Sequence, residues 1–287
     1  MRENSAKRRL DYCCEDGWRC RCKHPGRARW VDYTEFTMPT RYDLRRLEEV
    51  GLNSSVPPGQ LLYDGWLLRL MPGAAKRARS VNAVYPSTRP LAHKVRYCEQ
   101  LYHGRDLPAI FRITPFSEPS GLDAELDRMG YIGFDRTAVE VAAIDPGMLR
   151  PPRAVEMALP QWVQAVGNLR GSPTAHRISH LQRLEGTLLR HRALAVEQDG
   201  NVVATGLALV EGGWAGLFDI VTAADVRRQG FGRMVVQALL HAAWGLGGRR
   251  AYLQVGDDNV AARNLYRQFG FAPHYHYWYR GRPGETS

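Results

Sequence analysis

The chain has 287 residues, 44% hydrophobic and 24% charged, enough apolar material for a large core in one or two domains. Its formal charge of +10 invites an acidic partner. Yet the arginines are scattered and no basic block is interleaved with aromatics, so nucleic-acid binding is not expected. No run of 18 apolar residues exists and the N-terminus lacks an apolar h-region, so no membrane span or secretory signal is read and a cytoplasmic location is expected.

Residues 1–37 are polar and charged and hold four of the five cysteines, Cys13, Cys14, Cys20 and Cys22, with His24 beside them. Their spacing departs from structural-zinc patterns and a second ligand pair is missing. The segment reads as a disordered leader, or an upstream extension before a start at Met38, and no metal is expected.

Residues 38–150 form the first expected domain. Asp43–Val50 is amphipathic and helical, and Tyr63-Asp64-Gly65-Trp66 is a tight turn entering a strand. Lys76–Arg79 is a basic connection, and Ser80–Tyr85 a strand ended by Pro86. A helix over Leu91–His103, a strand over Ile110–Thr114, a helix over Leu122–Met129 closing on Gly130-Tyr131, and a strand over Thr137–Ala143 follow. Asp145-Pro146-Gly147 and Pro151-Pro152 read as a linker.

Residues 151–287 form the second. Gln161–Val166 and Ser179–Leu189 are helical; Ala193–Glu197 and Val202–Leu209 make a hairpin through Asp199-Gly200. Leu217–Val221 is a strand, followed by the turn Arg227-Arg228-Gln229-Gly230-Phe231-Gly232. Met234, Val235, Ala238, Leu239 and Ala242 then fall at helical spacing. Tyr275–Tyr279 is a last, aromatic strand.

A glycine turn that opens a helix directly after a strand suits phosphate. Glycine lets backbone approach the ligand, the first-turn N–H groups lack intrahelical partners, and the helix dipole attracts anions. Arg227, Arg228 and Arg233 add full charges.

About thirty residues on comes Asn259-Val260-Ala261-Ala262-Arg263-Asn264-Leu265-Tyr266, then Gly270-Phe271. With Arg227, Gly230 and Gly232 in the turn, the stretch resembles the GNAT superfamily of acyl-CoA N-acyltransferases, over roughly the last 120 residues. The resemblance implies acetyl-CoA as co-substrate, its pyrophosphate held by Arg227, Arg228, Gln229, Gly230, Phe231, Gly232 and Arg233. It implies that backbone N–H groups of Ile220, Val221 and Thr222 meet the pantetheine and thioester carbonyl, and that Tyr266 protonates the departing thiolate. Asn259 either holds the cofactor arm or caps its helix.

Overlaying Gly130-Tyr131 on Gly270-Phe271 places strand 111–115 on 251–255 and Ser87–Ala92 on the glycine turn. The resemblance implies an α/β (α+β) fold with a mixed, mostly antiparallel sheet flanked by helices, and the overlay implies two tandem copies of it. The first copy has lost its phosphate loop and its tyrosine, with Leu126 where Tyr266 sits.

For a general base, Asp219 is the first candidate, with Glu197, His274 and His276 behind it; ordered water can also serve. Trp214, Tyr275, Tyr277, Trp278 and Tyr279 either line an acceptor pocket or belong to the core. The function expected is direct acyl transfer to a primary amine of a small molecule or protein, with a homodimer left open. The alternative is a non-catalytic acyl-CoA sensor or interaction module. The first domain is expected to close over the cleft and contribute acceptor contacts.

Overall fold

The structure, a computed structural model, describes Cys14, Glu15, Arg19, Cys20, residues 41–149 and residues 153–286. The chain divides into residues 1–39 and residues 40–287. In the first unit β1 (Cys14–Glu15) pairs antiparallel with β2 (Arg19–Cys20). Cys13, Cys22 and His24, named above as candidate ligands, lie outside the described residues.

The second unit is one mixed sheet covered by helices. Its first series runs α1 (Arg41–Asn53), β3 (Gln60–Tyr63), β4 (Trp66–Arg69), β5 (Val81–Ala83), α2 (Leu91–His103), β6 (Phe111–Ile113), α3 (Leu122–Arg128) and β7 (Ile132–Ala143). Its second runs β8 (Val155–Glu156), α4 (Leu159–Arg170), α5 (Thr174–Glu185), β9 (Arg190–Gln198), β10 (Asn201–Glu211), β11 (Trp214–Thr222), α6 (Phe231–Gly245), β12 (Arg250–Gly256), α7 (Val260–Arg267) and β13 (Ala272–Gly281). No helix among the described residues is long and apolar enough to cross a membrane.

The sheet has eleven strands in the order β3-β4-β5-β6-β13-β7-β12-β11-β10-β9-β8. Among the described residues the parallel pairs are β5 with β6 and β11 with β12, each joined through a helix. The closing strands are exchanged: β13 pairs with β6 and β7, and β7 pairs with β12, so each series ends against the other.

Alternation along β10 sorts the layers. Ala204, Ala208 and Val210 join α6 and α7 in one core, while Leu207 and Leu209 join Trp162, Val163 and Leu184 of α4 and α5 on the opposite face. Gly206 lies where β10 and α6 touch: a Cβ there would meet Val235 Cγ1 and Leu239 Cδ1 at 2.6 Å each. In the first series Trp66, Phe111 and Ile113 pack on Val95, Tyr102 and Leu126.

Tyr275, Tyr277 and Tyr279 of β13 are buried with Leu47 and Val50 of α1, and Trp214 is buried with them. They are core residues, which resolves the open choice for these four. A buried polar knot ties three elements there: Glu48 of α1 accepts from Arg112 of β6 and from the Tyr275 hydroxyl of β13, and the Arg112 guanidinium lies 3.9 Å over the Tyr277 ring.

Several element boundaries differ from the sequence reading. Helix α5 begins at Thr174 and ends at Glu185, not Ser179–Leu189, because Pro173 suits a helix start and Gly186 closes the end. Leu188, read as helical and apolar, is fully exposed. Strand β7 begins five residues earlier than Thr137, and β8, absent from the sequence reading, pairs with β9.

Candidate functional site

The site starts from a ladder that opens. Strands β11 and β12 pair only over Trp214–Gly216 and Arg250–Tyr252, although they continue to Thr222 and Gly256. Past Gly216 the edge of β11 facing β12 therefore presents backbone N–H and C=O groups with no ladder partner. Ile220, Val221 and Thr222 lie on this open segment.

A bulge accompanies the opening. Leu207 pairs with Phe218 and Thr205 with Val221, so Asp219 and Ile220 face the single residue Gly206. Asp219 takes the left-handed conformation at φ 51°, which costs a non-glycine residue about 1 kcal/mol or more. A cavity of about 420 Å³ lies beside this segment and is bordered by Asp219, Ile220, Gly256, Asn259 and Tyr266.

The glycine turn has the expected form. Gly230 sits at φ 92° as the residue before α6, a backbone state that side chains disfavour. Helix α6 has no side-chain cap, and its first backbone bond comes from the Met234 N–H to the Gly230 carbonyl at 3.0 Å. The N–H groups of Phe231, Gly232 and Arg233 therefore face outward for an anion. Arg227, Arg228, Gln229 and Gly230 are exposed, whereas the Arg233 guanidinium is drawn to Gln268 Oε1 at 3.1 Å.

Asn259 caps α7: its Oδ1 accepts from the Ala262 N–H at 3.1 Å, and its amide NH₂ stays without a partner among the described residues. One helical turn and more along, Tyr266 is 8% exposed and packs edge-on against Phe271. Its hydroxyl makes no hydrogen bond among the described residues. Burial, helped by the charge of Glu140, pushes the phenol up to about 12, so it holds its proton at neutral pH.

Asp219 is differently placed. Arg170 Nη1 lies 2.6 Å from its Oδ1, and His180 Nε2 lies 3.1 Å from its Oδ2. Burial alone would raise its pKa; the contact with His180 and the charges of Arg170, His180 and Arg183 outweigh that and hold the carboxyl well below the usual range. Such a group is a weak proton acceptor. Glu197 is exposed on β9, His274 Nδ1 contacts the Ala272 carbonyl, and His276 pairs with Asp257; none of the three borders the cavity.

Residues that the sequence reading did not single out complete the cavity. Helix α5 contributes His176, His180 and Arg183 at spacings of four and three, one face of a helix, and α4 contributes Arg170. The first series supplies the loop over residues 71–78, including Arg77, and Ser54 and Ser55 after α1. The basic helical face was present in the sequence, but starting the helix at Ser179 cut off His176.

The acetyltransferase (GNAT) family model matches residues 163–271. Over 254 residues the chain is 28% identical to the uncharacterized N-acetyltransferase YobR of Bacillus subtilis, covering 83% of this chain and 98% of that protein. Among solved structures, a GCN5-related N-acetyltransferase from Kribbella flavida aligns with a TM-score of 0.64 at 19% identity, over 86% of this chain and 97% of the other. A tandem GNAT protein from the clavulanic acid biosynthesis pathway aligns with a TM-score of 0.57 at 14% identity, over 86% and 89%. The opened β11–β12 ladder and the glycine turn both fall inside the matched segment: the chain has a GNAT fold, and its residues 163–271 match the acetyltransferase (GNAT) family model.

Proposed function

We propose that this chain is an acetyl-CoA-dependent N-acetyltransferase that passes the acyl group directly to a primary amine. The observation that carries the reading is the opened end of the β11–β12 ladder facing a cavity that also holds Tyr266. The glycine turn and the first turn of α6 receive the pyrophosphate. The unpaired backbone of Ile220–Thr222 receives pantetheine and polarises the thioester carbonyl, an oxyanion-type contribution of about 3 kcal/mol for a well-placed donor.

The amine nitrogen attacks the carbonyl carbon, the new C–N bond forms and the C–S bond breaks. Tyr266 gives its proton to the sulfur and is reprotonated from the amine, so the net transfer runs from nitrogen to sulfur. A phenol near 12 suits this only because the thiolate is desolvated in the same cavity and its own pKa rises with it. Asp219 is assigned to positioning: it stays ionised and fixes His180 and Arg170. The first series is assigned a supporting role, as a wall of the acceptor cavity and not a second cofactor site.

Titration calorimetry of acetyl-CoA, with release of CoA thiol on adding primary amines, tests the reading. One site per chain and amine-dependent thiol release are expected. Tyr266→Phe should lower kcat by roughly 100-fold without changing acetyl-CoA affinity. Absence of acetyl-CoA binding defeats the proposal; binding without turnover of any amine leaves only an acyl-CoA-binding module.

A further inference from the structure

The acceptor side of the cavity carries more positive charge than the protein balances. Three arginines border it, Arg77, Arg170 and Arg183, against one carboxylate, Asp219. That carboxylate is already engaged, with Arg170 on one oxygen and His180 on the other. Arg77 lies over the Phe218 ring at 5.3 Å, and its Nη1 is buried with no hydrogen-bond partner among the described residues. Arg183 forms no ion pair or hydrogen bond among the described residues. Burial pushes its pKa down, Asp219 partly restores it, and the charges of Arg77 and Arg170 lower it further, so the guanidinium groups repel one another.

Unpaired guanidinium groups in a partly closed cavity are costly unless an anion joins them. The phosphates of acetyl-CoA are not that anion on the reading above. They belong at the turn over residues 227–232, and none of those residues borders this cavity. A planar guanidinium fork matches carboxylate and phosphate oxygens in pairs of hydrogen bonds.

We infer that the acceptor is a primary amine that also carries an acid group, a carboxylate or a phosphate, held by Arg77 and Arg183 while its nitrogen meets the thioester. This rests on the transferase reading. The acid group does not react; it orients the nucleophile and neutralises the arginines. Arg77 comes from the first series and Arg183 from the second, so specificity is set jointly by the two halves.

The test measures CoA thiol release from acetyl-CoA with four sets of primary amines. The carboxylated set includes γ-aminobutyrate and glycine, the phosphorylated set phosphoethanolamine, the neutral set propylamine and ethanolamine, and the polycationic set spermidine. One of the acid-bearing sets should exceed the neutral and polycationic sets in kcat/KM by about 100-fold, the effect of losing charge-assisted hydrogen bonds. Which of the two acid sets leads separates carboxylate from phosphate. Arg77→Met and Arg183→Met should raise KM for the acid-bearing amine with little change in kcat. Neither should alter the KM of a neutral amine or the acetyl-CoA affinity, which also reports an intact fold.

Neutral amines or spermidine turned over as well as the acid-bearing ones would overturn the inference while leaving the transferase reading intact. Arginine variants with an unchanged ratio between acid-bearing and neutral amines would also overturn it. If acetyl-CoA binds and no amine releases thiol, the transferase reading fails and this inference falls with it.

Discussion

Replacing Asp219 by Asn removes one charge and almost no volume, and the surroundings set the cost. The carboxylate is 15% exposed and has two neighbours, the Arg170 guanidinium at 2.6 Å and the His180 imidazole at 3.1 Å. Arg170 is 43% exposed, so its contact is discounted for solvent screening to about 0.5–1 kcal/mol. His180 is 13% exposed and lies close without hydrogen-bond geometry, so its contact adds about 0.5–1 kcal/mol when the imidazole is protonated. Asp219→Asn should therefore lose about 1–2 kcal/mol, a fall in Tm of roughly 2–8 °C for a unit of this size. The pH dependence has a definite sign. The folded pKa is depressed, so the stabilisation is fully present above the unfolded value of about 4 and is lost as pH falls towards the folded value. Denaturant titrations of wild type and variant should differ by the full amount at about pH 6, with the gap narrowing by roughly 1.4 kcal/mol per unit below about pH 4. Equal stabilities at neutral pH, or a gap that persists unchanged at about pH 3, would refute the assignment. Kinetics make a separate check: a positioning carboxylate leaves the shape of the pH–rate profile intact, whereas loss of the acidic limb in the variant would restore Asp219 as the base.

Three further outcomes follow from the packing and the site. Glu48→Ala strands the buried Arg112 guanidinium, which is 2% exposed, and should cost about 3–5 kcal/mol by urea denaturation; the double change Glu48→Leu with Arg112→Met should cost less than the single one. Gly206→Val drives a side chain into Val235 and Leu239 and should cost about 1–3 kcal/mol, while weakening acetyl-CoA binding in calorimetry because α6 follows the turn proposed to hold phosphate. With the Tyr266 phenol near 12, kcat should show no alkaline fall up to about pH 10 in a stopped-flow thiol assay; a fall near about pH 8 would remove Tyr266 as the acid.

The parts legible in the sequence are those with local causes. The helix near Leu91–His103 was legible from the apolar side formed by Val95, Cys98, Leu101 and Tyr102, and the β9–β10 hairpin because Asp199-Gly200 selects its turn. The glycine turn and the Asn259 cap were legible for the same reason, since a handful of adjacent residues determine each. The strand exchange was not legible. Which strand pairs β12 is decided between Val139 and Gln254, residues more than a hundred positions apart, and nothing near either residue records it. The surroundings of Asp219 were likewise hidden: the alternation of β11 is interrupted by the bulge opposite Gly206, and its partners lie on helices α4 and α5, distant in sequence. The aromatic residues of β13 show how composition misleads. Tyr275, Tyr277 and Tyr279 look like a ligand-binding strip, but the exchanged position of β13 at the centre of the sheet makes them core.

The two strand–helix series treat the same electrostatic opportunity in opposite ways. Each places a helix after a strand, α6 after β11 and α2 after β5, and each helix start presents backbone N–H groups to an anion. At α6 the turn is glycine-rich, and no side chain among the described residues caps the helix. Helix α2 likewise lacks a side-chain cap, but the turn before it is filled from within. The Asp64 carboxylate accepts from the Thr88 N–H at 3.0 Å, the Thr88 hydroxyl at 2.8 Å and the Arg89 N–H at 2.9 Å, and Lys94 stands 3.3 Å from it. Those hydrogen bonds hold Asp64 ionised well below the ordinary carboxylate range, led by the Arg89 and Thr88 backbone donors. An external phosphate at α2 would have to displace a carboxylate that is covalently part of the chain and already bound at four points. At α6 it would displace only water. The difference between a filled and an open turn thus favours α6 over α2 as the place for the phosphates in the proposed function, with the first series bracing the sheet and walling the cavity through residues 71–78.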